Sequence, residues 1–139
     1  MKLLLFFIAA LIVGASATSF TIHSCDELVS AINTSKNVPS VHLNFASDID
    51  CSEQRPIIEV SNQDLSMSAI GAISIRGVGK IISTSKNGTI SIGLGITFDL
   101  SSDDTFPLIE VLCESSMRIV GVKFRSKEIL TGSSLIFAY

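Results

Sequence analysis

A near-duplicate restricts this chain's fold more than anything else in it: Arg55-Pro56-Ile57-Ile58-Glu59-Val60 returns 51 residues later as Phe106-Pro107-Leu108-Ile109-Glu110-Val111. Lys80-Ile81-Ile82-Ser83 falls near the midpoint, at steps of 24 and 27, and Ile129-Leu130 continues the series about 21 residues further on. A second series runs through Ile75-Arg76-Gly77-Val78, Ile96-Thr97-Phe98 and Ile119-Val120-Gly121-Val122, at steps of 21 and 23. Two interleaved strand positions with a shared period predict a solenoid whose coils each contribute several short strands. An immunoglobulin-like sandwich would also suit strands spaced about 8–12 residues apart, but its strands have no reason to repeat in this way.

Alternation identifies the strands and their faces. Val41–Phe45, Ile73–Arg76, Thr89–Ile92, Ile96–Leu100 and Met117–Ile119 each alternate apolar with polar, separated by Gly, Ser and Asn, the pattern of short, half-buried strands. Inward positions are then Ile58, Val60, Ile75, Ile90, Ile92, Phe98, Ile109, Val111 and Ile119, and Cys113 shares their parity. His42, Glu59, Arg76, Asp99, Glu110 and Arg118 point outward. Gly77 and Gly121 fall where corners must bend. Ahead of the strands, Ser24-Cys25-Asp26-Glu27 fits a capping box, and Leu28, Ala31 and Ile32 recur at helical spacing until Lys36-Asn37-Val38-Pro39. One short amphipathic helix is expected there.

The first 17 residues read as a secretory signal peptide. Met1-Lys2 is a minimal positive region, Leu3 to Val13 is an unbroken apolar run of 11, and Ala15-Ser16-Ala17 places small residues before a cut after Ala17. Eleven residues of helix reach about 16 Å, roughly half the hydrocarbon core of a bilayer, and no later run is long enough to span it. The expected organisation is therefore residues 1–17 as leader, 18–40 as an N-terminal segment with the cap helix, and 41–139 as coils. Secretion, to the medium or the cell surface, allows thiols to pair. Cys25–Cys51 is the expected bridge, and Cys113 is left as a buried thiol or as the partner of a cysteine on another chain or a missing segment. Asn33-Thr34-Ser35 and Asn87-Gly88-Thr89 are N-glycosylation sequons, the latter within a tight-turn signal.

Ile73-Ser74-Ile75-Arg76-Gly77-Val78-Gly79, Pro107-Leu108-Ile109-Glu110-Val111 and Ile119-Val120-Gly121-Val122-Lys123-Phe124 resemble coils of right-handed parallel β-helix proteins, the pectin-lyase-like superfamily. The segment Asp26 to Asn33 is similar to that family's N-terminal cap. The resemblance covers about residues 24–137 and implies an all-β, right-handed parallel β-helix of about four coils behind a cap helix. That family includes polysaccharide lyases and hydrolases, but also adhesins and surface proteins without chemistry, so fold alone assigns no activity.

Tested against its galacturonan hydrolases, Asp103-Asp104 and Arg125-Ser126-Lys127 echo two of four pieces. No Gly-His-Gly occurs, and His23 and His42 lie far upstream. Asp103-Asp104 reads better as a turn. Asp48, Asp50 and Glu53, the densest acids, surround Cys51 and read as a solvated loop rather than a calcium site. No Gly-x-Ser-x-Gly is present, and the glycine pairs are too short for a phosphate loop. A net charge of −3, a pI near 5.2, no Trp and one Tyr weigh against nucleic acid as a partner. The expectation is a secreted or cell-surface protein, structural or recognising a glycan or protein, with no catalytic residues, metal or cofactor. The alternatives are a truncated, inactive relative of a carbohydrate-active β-helix enzyme, or a gene fragment. Ser134 to Tyr139 starts a new alternation without a polar cap. The expected consequence is a longer β-helix or a covering chain, with self-association through the last coil when neither is present.

Overall fold

The computed structural model describes residues 17–85, 87–104, 106–112, 114–127 and 135–138. The leader up to residue 16, Cys113 and the Ile129-Leu130 pair lie outside the described residues. Among those described, every strand pairing is parallel, in three sheets. Sheet A holds β1 (Thr18–Ile22), β2 (Ser40–Phe45), β5 (Asp64–Ala69), β8 (Thr89–Ile92) and β11 (Ser116–Ile119), in that order. Sheet B holds β3 (Ile49–Asp50), β6 (Ile73–Arg76), β9 (Ile96–Leu100) and β12 (Lys123–Ser126). Sheet C holds β4 (Ile57–Val60), β7 (Lys80–Ser83), β10 (Ile109–Val111) and β13 (Ile136–Ala138). The chain visits A, B and C in turn and rises one strand per circuit, a parallel β-solenoid of about four turns with one short helix, α1 (Cys25–Thr34).

The near-duplicate lies in sheet C, where Ile58 and Ile109 both pair with Ile81. Its fourth member is Ile136, paired with Ile109, rather than the Ile129-Leu130 segment that the period suggested. The second series needs a larger correction. Ile75 pairs with Phe98, and Phe98 with Phe124, in sheet B, whereas Ile119 pairs with Ile92 in sheet A. Corners of unequal length cause the error: paired residues stand 23 apart between β4 and β7 but 28 apart between β7 and β10. Alternation is also blind to a slip of two residues, which keeps every side chain on its face.

The inward parity holds. Ile58, Val60, Ile75, Ile90, Ile92, Phe98, Ile109 and Val111 are buried, while Ile119, in the last coil, is only half-buried. Gly77 stands at a corner with φ +75°, and a Cβ there would lie 2.2 Å from the Ser52 nitrogen in the coil before it. Ser83 departs from the apolar rule: it is inward, 0% exposed, and its hydroxyl finds no partner among the described residues. An unsatisfied buried hydroxyl costs about 1–3 kcal/mol. Ser83→Ala is therefore expected to raise the thermal unfolding midpoint by several degrees; a fall would contradict that account of the site.

The helix starts where the capping signal placed it, with the Ser24 hydroxyl accepting from the Glu27 N–H at 3.2 Å. The reciprocal bond is displaced by one residue: the Glu27 carboxylate accepts from the His23 N–H at 2.6 Å and lies 3.1 Å from His23 Nδ1. Glu27 accordingly titrates below the usual glutamate range, chiefly through that main-chain bond. Leu28 and Ala31 are buried over the end of the core. The Cys25–Cys51 disulfide, with Cα atoms 5.3 Å apart, fastens one end of α1 to the first coil. At the other end, the buried Gln63 amide donates to the Ser35 and Val38 carbonyls, each at 2.7 Å. The N-terminal segment also contributes β1, which was not expected. No described helix is long and apolar enough to cross a membrane.

Candidate functional site

The outer face of sheet B carries the densest arrangement of charge. Strand alternation turns Ile75, Phe98 and Phe124 inward and leaves Asp50, Arg76, Asp99 and Arg125 outward. Register stacks those four on successive coils, acid, base, acid, base. Opposite charges directly across a ladder stabilise it, and like charges oppose it.

Arg125 grips Asp99 in a two-pronged pair, Nε to Oδ1 at 2.6 Å and Nη2 to Oδ2 at 3.0 Å, and Nη2 also reaches the Ser74 hydroxyl at 3.4 Å. The bond from Arg125 holds Asp99 below the usual aspartate range, helped by the field of Arg76 and Lys127. Asp99 in turn raises Arg125, which changes nothing at physiological pH because a guanidinium is always charged. Arg125 is well exposed, so solvent screens the pair and its main effect is to fix both groups in place. Asp50 also titrates low, first because the Ser52 hydroxyl and N–H donate to it and then through Arg76 and Arg55.

Beside this column lies a concavity of about 280 Å³ lined by Arg76, Asp99, Leu100, Ser101, Arg125 and Lys127. Three cations face one carboxylate, which is already committed to Arg125. Among the described residues Arg76 and Lys127 donate no hydrogen bond, so two positive charges border the hollow. Such a lining suits an anion, with Ser101 beside it as a further polar contact.

The echo of a hydrolase site separates in three dimensions. Asp104 does lie in a turn, but it is buried and accepts from Arg55 at 2.8 Å and from the Ser101 N–H at 2.7 Å, while Arg125 goes to Asp99. Asp48 accepts from the Ser74 N–H at 2.7 Å, and no described group of three or more His, Cys, Asp or Glu is placed to hold a metal ion. His23 belongs to the helix cap.

His42 is outward as expected, but it meets Ser68 in the next coil, Nε2 to Oγ at 2.7 Å, and Ser68 lies 3.2 Å from Asn44 Oδ1. A hydroxyl against an imidazole is one part of an acyl-transfer site. Here the neighbouring main-chain N–H groups run in the plane of the ladder, so none is aimed at an oxyanion, and the contact reads as a fastening between coils.

Asn33 is exposed on α1, and Asn87 is exposed in the turn before β8. A larger hollow of about 440 Å³ opens between the end of α1 and β4, lined by apolar Ile32, Leu43, Ile57 and Leu65 together with Lys36 and Glu59. Compared with protein-family models, curated proteins and solved structures, the chain finds no match.

Proposed function

We propose that this is a secreted or cell-surface protein without catalytic activity, a short solenoid of the pectin-lyase-like kind that recognises a glycan or protein partner through the outer face of sheet B. The observation that carries this reading is the hollow bordered by Arg76 and Lys127, which act on Asp99 only through their field while both carboxylate oxygens of Asp99 are held by Arg125. An acidic group, such as the carboxylate of an acidic sugar or side chain, would enter it and meet two cations, Arg76 held by strand β6 and Lys127 in the bend just after β12. Strands position such groups better than loops do, which is the advantage of a solenoid as a recognition surface.

The test is binding of the secreted chain to acidic and neutral oligosaccharides of equal length. Acidic ligands are expected to bind tighter and to lose affinity as salt rises. The Arg76→Ala/Lys127→Ala pair should weaken binding by about tenfold or more, since a hydrogen bond to a charged group contributes about 1.5–3 kcal/mol. Equal binding of neutral and acidic ligands, or an unaffected double variant, would overturn the assignment of the site. Cleavage of pectic polymers by the chain would overturn the non-catalytic reading.

A further inference from the structure

We infer that Asn33 carries an N-linked glycan whose first sugars lie in the hollow between the end of α1 and β4, where they cover Ile57. The inference rests on the reading of the chain as secreted, since the sugar is added along that route. Three observations meet at this one place.

The first is the position of the acceptor. Asn33-Thr34-Ser35 is a sequon, and Asn33 is exposed in the last turn of α1, on the wall of the hollow of about 440 Å³. A sugar joined to its side chain starts at the mouth of a concavity as large as many small-molecule sites. The donor is a diphosphate-activated oligosaccharide. The Asn33 amide nitrogen bonds to the anomeric carbon, the bond from that carbon to the diphosphate oxygen breaks, the diphosphate leaves with its electron pair, and one amide proton passes to a base. In the folded helix the Thr34 hydroxyl donates to the Ser30 carbonyl at 2.8 Å, so the transfer belongs to the chain before α1 forms.

The second is the lining. A pyranose ring has apolar C–H faces and a polar rim, and the hollow offers both kinds of partner. Ile57 is 59% exposed and faces it together with the half-buried Ile32, while Lys36 and Glu59 supply polar groups. Gln63 is buried, and its Nε2 is committed to the Ser35 and Val38 carbonyls. Its Oε1 accepts from no described residue and is not sealed from solvent, which leaves an acceptor at the hollow for the acetamido N–H of a first sugar.

The third is the edge of β4, which is internal to the chain because β1 and α1 precede it. The Pro56 and Val60 carbonyls accept from the Gly79 and Thr84 N–H groups at 2.8 and 3.0 Å, so the main-chain groups of Ile57 and Glu59 face away from β7. Among the described residues no strand lies on that side, and the strand that α1 touches is β1 rather than β4. Sugar hydroxyls rooted at Asn33 would solvate this edge and bar other strands from adding to it. Asn87, in the turn before β8, lines neither of the hollows described above and serves as the internal control.

Secretion of the full chain from cultured animal cells tests this, once behind its own first 17 residues and once behind a proven secretory leader. Peptide mass spectrometry is expected to find Asn33 modified. After trimming to a single N-acetylglucosamine by an endoglycosidase, the chain should melt about 3–6 °C above Asn33→Gln, with slower deuterium uptake across residues 57–61. Most of that increment should vanish when the same pair is compared in an Ile57→Ser background, and Asn87→Gln should leave the midpoint within a degree. An unmodified Asn33 in the secreted chain, a trimmed chain that melts with Asn33→Gln, an increment that survives Ile57→Ser, or an equal shift at Asn87 would overturn the inference. Retention in the cell behind its own leader, with the stabilising glycan present behind the borrowed one, would overturn the secreted reading and leave the seating of the glycan standing.

Discussion

Phe98→Ala is expected to lower the stability of this protein by about 3–5 kcal/mol, the range for deleting a buried ring from a core that collapses only in part. Phe98 is 1% exposed and occupies the middle of a column in sheet B, above Ile75 and below Phe124. Its ring stacks on that of Phe124 with centroids 5.6 Å apart and planes 16° from parallel. Removing it takes away both the burial and the stack. It also removes the aromatic contact between the third and fourth coils, and in a solenoid each coil is held chiefly by its neighbours. Denaturant titration should therefore show a lower midpoint together with early loss of the last coil, seen as increased amide exchange in β12. Phe124→Ala should cost less, since Phe124 is only half-buried. A loss below about 1 kcal/mol at Phe98 would mean that the column does not pack as described, and the placement of Arg76 and Asp99 on the opposite face of the same strands would fail with it.

The period of the chain was legible because one corner type recurs with little change. Pro-x-Ile-Glu-Val opens sheet C in the first and third coils, and Ile58, Ile81 and Ile109 do form one column. Face assignment was legible too, since pleating allows no residue to change sides without a bulge. Register was not. Ile75 and Ile96 look equivalent, yet Ile96 pairs with Ile73, because corner lengths vary and a two-residue slip leaves the pattern intact. The same blindness hid the candidate site. Alternation turns Arg76 and Asp99 outward, but that they stand side by side, with Arg125 next in line, depends on registers that corner lengths conceal. β1 and β5 are hard to see in the sequence because Ser, Thr and Asp crowd their outward positions and resemble loop composition. The His42–Ser68 contact depends on β5 and is hidden with it. The Arg55–Asp104 pair was out of reach for another reason: it joins corners 49 residues apart across an intervening coil, and Asp104 in its short acidic run looks like any exposed turn.

Opening the Cys25–Cys51 bridge is expected to cost about 3–4 kcal/mol on the chain-entropy model, for a loop closed over a sequence separation of 26. The consequence is local as well as entropic. Cys51 sits in the corner after β3, 1% exposed, and the bridge holds the start of α1 over the end of the core. Without it, α1 is retained there by Leu28 and Ala31, by the Gln54 amide donating to Asp26 at 2.6 Å, and by Gln63 at the far end. A ten-residue helix is marginal in isolation, so its persistence depends on that docking. The Cys25→Ser/Cys51→Ser variant should unfold at a clearly lower temperature than the native chain, and a reductant should lower the native midpoint toward the variant's without moving the variant further. Amide exchange should rise first in α1 and in β1, the strand that the helix touches, and last in β6, β7 and β8. If the double variant melts within a degree of the native chain, α1 is held by packing alone, and the first coil is closed by its apolar contacts rather than by the covalent link.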